Sequence, residues 1–399
     1  MKDTYKALLI GLGSRILVVA VVVLASVLIA SNGNLAADHS RVPIISLFDR
    51  WDSGYYVSIA KNGYPAGYPS HNFWTDKHFN AYMPNPPLAM PQWAFFPLYP
   101  AAMRVVSQLF FPFRSAVNGL DVAGFIVSNV AFFFAIYFFY KLTNKIFESP
   151  QIALLATAFF SFWGGALFYS AVYSESLFMA LTLAAFYYLE ADEVPIAALF
   201  GFLAAFTRSD GFLIFIPFLV YGLQSMKNKP KMLQLLACSA FVASPFLNFQ
   251  LIGYEVAGRV FPITLLARNL NWQVYPVLWK QLATINPGYS LFYSVGLLLI
   301  LMPAIYLTVH KLSGSNGDDP KTEADLLKYW FFYAATLLVI LFDSNVYSTI
   351  RYAVPMLPIY WVSAVVYKKN RYAGGAILWV TTGMLIIGCV LFETRGYFM

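Results

Sequence analysis

Residues 16–30 read ILVVAVVVLASVLIA, a run in which Ser26 is the only polar residue. Apolar stretches recur along the whole chain, which has 399 residues, 59% of them hydrophobic and only 11% charged. A soluble domain carries about 25% charged residues, so a water-soluble globule of this length would lack the polar surface to cover it. The sequence therefore predicts an all-α polytopic membrane protein that forms a single domain over 1–399.

About eleven apolar stretches are predicted to cross the membrane as helices. The first is interpreted as an uncleaved anchor and not as a signal peptide, because its apolar character begins early, at Ala7. The weakest pair, 195–207 and 211–226, also fits a re-entrant hairpin. An apolar helix ending at Phe111 is not counted, because it contains Arg104 and would invert every later lysine cluster. The predicted spans are 8–30, 119–140, 152–171, 175–190, 195–207, 211–226, 232–252, 289–310, 329–343, 352–367 and 373–392.

Lysines predict which side of the membrane each loop faces, since cytoplasmic loops carry an excess of basic residues. With the N-terminus in the cytoplasm, every cytoplasmic loop except the short connection 191–194 contains lysine. The opposite side then holds most of the arginines and the longest connection, about 31–118, which is rich in aromatic residues and proline. The net charge of +7 is interpreted as a topology signal, so no nucleic-acid partner is predicted.

Cysteines and histidines give no sign of a disulfide framework or a metal site. Cys238 and Cys389 both lie in apolar runs, and the four histidines form no HExxH motif. The chain also has no P-loop and no GxGxxG motif, which argues against a nucleotide-driven pump. No cofactor is predicted, although a divalent ion at Asp49 and Asp52 stays open as an alternative.

The long outer loop contains the stretch FDRWDSGYY at 48–56, in which Asp49 and Asp52 flank an arginine. If this stretch forms a helical turn, the two carboxylates share one face. The segment from Tyr55 to Ala60 reads as a short amphipathic helix lying on the membrane. Asp52 precedes that helix, so it is a candidate either for its N-cap or for catalysis.

Other polar groups fall between predicted spans on the same side as Asp52. They are YSES at 173–176, TRSDG at 207–211, DSN at 343–345 and the Arg-Tyr pair at 351–352. Charges at membrane depth are costly and suggest function, although Glu175 and Arg208 also fit a structural ion pair. Because all of these groups share one predicted side, the sequence predicts one polar site at the outer leaflet.

Several of these segments resemble the signature of the GPI mannosyltransferase II (PIG-V) family. The motifs are WDS at 51–53 with its following aromatic residues, AFFPLYP at 94–100, YSESLF at 173–178, RSDG at 208–211 and the Arg-Tyr pair at 351–352. They span roughly 48–360, and the departure is Asp210, where the family more often has Asn. The resemblance implies a GT-C glycosyltransferase fold, a polyprenyl-phosphate-linked mannose donor, transfer on the extracytoplasmic face and a catalytic acidic residue at Asp52.

A reaction of this kind needs a base at the acceptor and cations at the phosphate. Asp52 is predicted as the general base that takes the proton of the acceptor hydroxyl while that oxygen attacks the anomeric carbon. One base and no protein nucleophile gives inversion, whereas retention would need a second carboxylate, for which Asp49 is the nearby candidate. Arg208 and Arg351, with Arg50 third, are candidates for stabilising the leaving phosphate. The residues predicted to bind or orient substrates are Asp49, Trp51, Tyr56, Glu175, Asp210 and Tyr352.

Aromatic residues near Asp52 have two interpretations. Trp51, Tyr55, Tyr56 and Trp93 either stack on sugar faces or pack against the bilayer.

Two other functions stay open from the residues alone. A transporter or lipid flippase would need polar residues that continue through the membrane, and few occur in mid-span. A non-catalytic scaffold subunit would tolerate the loss of Asp52. The acceptor, whether a lipid, a glycan or a protein, is not predicted, and neither is the epimer of the sugar. The chain has no Asn-x-Ser/Thr sequon, which favours a bacterial or archaeal plasma membrane over the ER.

Overall fold

The computed structural model describes residues 2–31, 43–64, 92–110, 116–256, 287–312, 323–342 and 348–393, and the regular secondary structure of these residues is helical. In chain order the helices are α1 (Lys2–Ser31), α2 (Pro43–Ser46), α3 (Ser53–Asn62), α4 (Leu98–Phe110), α5 (Ala116–Phe147), α6 (Pro150–Ser161), α7 (Glu175–Glu190), α8 (Val194–Ala205), α9 (Phe215–Gln224), α10 (Lys229–Val256), α11 (Pro287–Leu312), α12 (Glu323–Phe342), α13 (Thr349–Tyr352), α14 (Pro358–Lys369) and α15 (Arg371–Glu393). Turns of 3-10 helix occupy Gln92–Ala94, Ala166–Tyr169 and Ser209–Ile214.

Each of the eleven predicted spans coincides with a helix of the structure, which confirms the all-α membrane architecture. Among the described residues, five helices are long and apolar enough to cross a membrane by length and composition, namely α1, α5, α10, α11 and α15. Several others, including α6 and α8, are shorter apolar helices. The number of eleven spans therefore stays a prediction.

Two predicted spans are shorter than expected, and both breaks adjoin segments that contribute to the site described below. The span 152–171 ends as a helix at Ser161 because Gly164 and Gly165 follow, and a Cβ on Gly165 would lie 2.8 Å from the carbonyl oxygen of Ile350. The span 352–367 begins only at Pro358, after the separate short helix α13. These two breaks let the segments on either side of residues 165 and 350 meet.

The outer-loop helix α3 forms where the sequence predicts it, but its apolar face packs against protein. Tyr55, Tyr56 and Ile59 are buried against α4 and α5. The expectation of a helix that lies on the membrane was wrong for this face, because α4 covers it. Helix α4 keeps Leu109 and Phe110 exposed, and it is not among the candidate spans, as expected.

Helix α1 carries a buried arginine near its middle. Arg15 Nη1 donates hydrogen bonds to the carbonyl oxygen of Ala166 over 2.7 Å and to Ser170 Oγ over 3.0 Å. Its guanidinium carbon also lies 4.2 Å from the ring centroid of Phe132. These contacts fasten α1 to the segment between α6 and α7, which leads directly to Glu175.

Candidate active site

Four separate segments bring charged side chains together at the start of α7. Arg351 Nη1 pairs with Asp52 Oδ2, and Arg351 Nε pairs with Glu175 Oε1. Arg208 Nη1 pairs with the same Oε1 atom of Glu175, and Arg208 Nε lies 2.9 Å from Asp210 Oδ1. The five side chains form one chain of alternating charge, which we call the outer cluster, in the order Asp52, Arg351, Glu175, Arg208 and Asp210.

Exposure rises from the middle of the outer cluster towards its ends. The side chains of Glu175 and Arg351 are 2% and 5% exposed, whereas those of Asp210 and Asp52 are 12% and 19% exposed. The two terminal carboxylates are therefore the acidic groups that a substrate reaches most easily. The buried middle holds the arginines in place.

The outer cluster holds more acid than base. Three carboxylates share two guanidinium groups, and Glu175 Oε2 is buried with no hydrogen-bond partner among the described residues. Burial disfavours the charged form of Arg208, but Asp210 and Glu175 outweigh it and raise the pKa of the guanidinium. Both arginines are thus permanent cations, and Glu175 Oε2 beside them accepts no hydrogen bond from the described residues.

The local conformation at Asp52 corrects two expectations. Asp52 occupies the N-cap position of α3, but its side chain makes no capping hydrogen bond and instead pairs with Arg351. Trp51 has a φ of 56°, in the left-handed region that disfavours residues with a Cβ. This residue interrupts the helical turn, so Asp49 and Asp52 do not share a helical face.

A buried tyrosine fixes the backbone of Asp52. Tyr173 Oη donates to the carbonyl oxygen of Arg50 over 3.1 Å and accepts a hydrogen bond from the Asp52 backbone N–H over 3.2 Å. The ring of Tyr173 lies 4.5 Å from the guanidinium carbon of Arg351. One side chain therefore contacts both members of the Asp52–Arg351 pair.

Most of the predicted aromatic contacts turn out to be core packing. Tyr55 stacks on Phe95, and Tyr56 meets Phe95 edge to face while its hydroxyl lies 2.7 Å from Ser174 Oγ. Trp93 is likewise buried and stacks on Tyr64. These three rings are covered by protein, and neither sugar nor lipid contacts are needed to explain them.

Trp51 and Tyr352 stay close to the outer cluster. Trp51 is half-buried, and its indole N–H has no partner among the described residues. The ring of Tyr352 lies 5.7 Å from the guanidinium carbon of Arg208. The Tyr352 ring therefore lies beside the ion pairs, and substrate binding by Tyr352 and Trp51 stays a prediction.

Arg50 does not join the outer cluster, contrary to its predicted place beside the phosphate. Its Nη2 atom lies 2.8 Å from Glu393 Oε2 at the end of α15. The charge of Arg50 is therefore satisfied elsewhere, because a buried cation needs a buried acid. Glu393 was not predicted, and the only signal for it is an acidic residue at the end of an apolar span.

Three further predictions fall outside what the contacts can decide. The DSN segment at 343–345 lies outside the described residues. The charge of Asp49 acts on Tyr99, and its role towards substrates stays a prediction. In the part of the chain that the structure describes, no group of three or more His, Cys, Asp or Glu side chains is placed to hold a metal ion.

Comparisons with known proteins give one family. The family model described as mannosyltransferase (PIG-V) matches residues 24–258, a range that contains Asp52, Glu175 and Arg208. GPI mannosyltransferase 2 of Schizosaccharomyces pombe is 23% identical over 346 residues, which cover 81% of this chain and 66% of the yeast protein. GPI alpha-1,6-mannosyltransferase 2 of Homo sapiens is 26% identical over 231 residues, which cover 53% of this chain and 42% of the human protein. The chain thus spans less than two thirds of the length of these relatives.

A structural similarity accompanies these relatives. The Archaeoglobus fulgidus oligosaccharyltransferase matches with a TM-score of 0.45 and 14% identity, over 94% of this chain and 53% of the other. A similarity at this TM-score does not by itself establish a common fold.

Proposed function

The chain belongs to the mannosyltransferase (PIG-V) family, and from this premise we propose that it transfers a hexose, mannose by family, from a polyprenyl-phosphate donor to an acceptor hydroxyl. The proposal includes a GT-C fold and a reaction on the extracytoplasmic face. The observation that carries it is the ion pair between Asp52 and Arg351, which sets a partly exposed carboxylate beside a buried guanidinium. A sugar-phosphate transfer needs these two groups as neighbours.

Asp52 acts as the general base of this reaction. The acceptor hydroxyl gives its proton to Asp52 while its oxygen forms the bond to the anomeric carbon. The bond from that carbon to the phosphate oxygen breaks at the same time, and the electron pair leaves with the phosphate. A single carboxylate at the reacting centre gives inversion at the anomeric carbon. Asp49 is not aligned with Asp52 on one helical face, which supports the same outcome.

Arg351 and Arg208 stabilise the leaving phosphate. A planar guanidinium suits phosphate oxygens because it donates two parallel hydrogen bonds. Arg351 forms an ion pair with Asp52 and so balances the negative charge of its carboxylate. An arriving phosphate competes for Arg351 and releases the Asp52 carboxylate, which is then free to accept a proton. Donor binding thereby prepares the base.

The other predicted residues support these two roles. Glu175 holds both arginines through one oxygen and so orients them, while its second oxygen is buried. Trp51 and Tyr352 flank the sugar and the phosphate, and Asp210 sets the direction of the Arg208 side chain. Asp49 stays a candidate for orienting the acceptor.

The membrane that holds the protein is not fixed by its relatives. The curated relatives reported above come from a yeast and a mammal, so they do not favour the bacterial or archaeal membrane that the missing sequon suggested. The cytoplasmic N-terminus stays part of the proposal, supported by the lysine distribution.

A transfer assay tests the proposed function. Purified protein in liposomes is given radiolabelled polyprenyl-phosphate mannose with total membrane lipids and glycoproteins, beside Asp52→Asn and the control Asp192→Asn. We expect labelled product from wild type and control, and a loss of about 10²–10⁴-fold in Asp52→Asn, the usual contribution of a general base. Near-normal transfer by Asp52→Asn would contradict the assignment of the base. Failure with every polyprenyl-phosphate sugar would contradict the donor class.

A further inference from the structure

A buried ion pair holds Arg50, two residues before Asp52, against the end of α15. Arg50 Nη2 lies 2.8 Å from Glu393 Oε2, and Arg50 Nη1 donates to the Glu393 carbonyl oxygen over 3.3 Å. The arginine is 8% exposed and the glutamate side chain 0%. Glu393 is the last residue of α15, so this carbonyl has no partner within the helix and attracts a cation.

Arg50 and Asp52 are separated by one residue in an unfavourable conformation. Trp51 adopts its positive φ because its neighbours are held on both sides. The Arg50 carbonyl accepts hydrogen bonds from Tyr173 Oη over 3.1 Å and from Ser53 Oγ over 2.8 Å. The same Tyr173 hydroxyl accepts from the backbone N–H of Asp52. The three residues from Arg50 to Asp52 are therefore fixed by α15 at one end and by Arg351 at the other.

The Arg50–Glu393 ion pair leaves some of its buried polar atoms without a partner among the described residues. Arg50 Nε and Glu393 Oε1 are buried without a hydrogen-bond partner among the described residues. The Lys328–Glu190 pair has comparable burial, but its carboxylate oxygen also accepts a hydrogen bond from the Tyr329 hydroxyl. Unsatisfied buried groups in a native protein call for an explanation, and the place of Arg50 two residues before Asp52 points to positioning.

We propose that Arg50, Glu393 and Tyr173 are positioning residues that set the direction of the Asp52 carboxylate, an inference that rests on the proposed role of Asp52 as general base. When the pair is broken, Trp51 relaxes to an ordinary backbone conformation and Asp52 turns with it. Arg208 keeps its contacts to Glu175 and Asp210 in that event. The loss therefore falls on turnover and leaves donor binding largely intact.

The test compares Glu393→Gln and Tyr173→Phe with the control Lys328→Met. The control breaks a similarly buried ion pair with Glu190, at the opposite end of α7 from Glu175. We expect kcat to fall by about tenfold to hundredfold in the first two variants while the donor KM stays within about twofold, as for misplaced catalytic groups. Lys328→Met should lower the melting temperature in detergent and leave kcat unchanged. Tyr173→Phe removes a single hydroxyl, so it tests the positioning role even if Glu393→Gln does not fold.

A double-mutant cycle separates this inference from the proposed function. If Glu393 acts through Asp52, adding Glu393→Gln to Asp52→Asn should leave the residual rate unchanged. A further independent loss, or a donor KM that rises as much as kcat falls, would overturn the positioning role. Full activity of Asp52→Asn alone would overturn the proposed function, and Glu393 would then have no catalytic base to position.

Discussion

Helix α7 carries a cluster of charge at each end, and the two clusters are built differently. At its first residue, one oxygen of Glu175 holds two arginines. At its last residue, one oxygen of Glu190 lies 2.7 Å from Lys328 Nζ and accepts from the Tyr329 hydroxyl over 2.8 Å. The sixteen residues of α7 separate the two clusters by about 24 Å along the helix, since each residue adds 1.5 Å.

The difference lies in what each cluster leaves unsatisfied. At the Glu175 end, acid exceeds base and one buried carboxylate oxygen has no partner among the described residues. At the Glu190 end, Lys328 and Lys231 meet Glu190 and Asp192 one to one. A cluster with balanced charge fastens helices together, whereas a charge imbalance with a buried acceptor that has no partner is typical of functional sites. The comparison supports the proposed catalytic role of the first end and favours a structural role for the second.

The strongest test of this difference makes the same substitution, Glu to Gln, at both ends of α7. We expect Glu175→Gln to reduce transfer by at least about a hundredfold, because both arginines lose the shared partner that places them. The free energy of unfolding should also fall, by about 1.5–3 kcal/mol for a lost charge-assisted hydrogen bond, because Arg351 and Arg208 keep Asp52 and Asp210 as charged partners. Glu190→Gln should lower only the melting temperature. Equal loss of transfer in both variants would show that the two ends do not differ in role.

A second comparison exchanges the cations. Arg351→Lys keeps the charge but loses the fork that serves Asp52 and Glu175 together. The loss of one charge-assisted hydrogen bond, about 1.5–3 kcal/mol, predicts roughly a tenfold to hundredfold lower kcat/KM for the donor. Lys328→Arg, at the other end, should be active. Steady-state kinetics with purified variants measures both, and an Arg351→Lys enzyme with normal kinetics would remove Arg351 from phosphate binding.

A smaller effect is expected at the Asp210 end of the outer cluster. Asp210→Asn keeps an acceptor for Arg208 Nε but removes one negative charge from a site that receives an anionic donor. The donor KM should therefore fall, by no more than about fivefold, since a partly exposed ion pair contributes up to about 1 kcal/mol. Titration of the rate with donor concentration measures the change. A large rise in KM would mean that Asp210 contacts the donor itself.

The smallest effect is expected for the most exposed pair at the Glu190 end. Lys231→Met removes the contact with Asp192, whose side chain is 58% exposed. Such pairs contribute about 0.2–1 kcal/mol, and salt screens them. The melting temperature should change slightly at low salt and converge with wild type at high salt, with transfer unchanged. A variant that loses transfer would extend the functional region to this end.

The sequence predicted the helices well because the membrane imposes a simple rule on composition. Each apolar run had to become a helix, since a backbone in lipid must satisfy its own hydrogen bonds. The meeting of Asp52, Glu175, Arg208 and Arg351 was likewise predictable in outline, because all lie between spans on one predicted side. Their pairing was not, because it depends on how four distant segments pack.

Two features near Asp52 show where sequence reasoning ends. An Asp before a short helix fits a cap and a catalytic base equally well, and only the contact with Arg351 decides between them. Arg50 finds its partner 343 positions away, at Glu393, and no spacing or motif reports such a contact. Trp51 gives no warning of its left-handed backbone, since glycine is the residue that usually marks it.

The buried arginine of α1 has a consequence for how the protein is made. Arg15 donates hydrogen bonds to Ala166 and Ser170, which are synthesised more than 150 residues later. At about 5–20 residues per second, the ribosome takes roughly ten to thirty seconds to deliver them. During that interval α1 holds an unpaired charge within its predicted span 8–30, and an arginine costs up to about 2.5–3.5 kcal/mol to insert at the centre of a spanning helix. The apolar residues of α1, with a mean hydropathy of 2.6, must offset this cost of insertion until α7 has been synthesised and the arginine is enclosed.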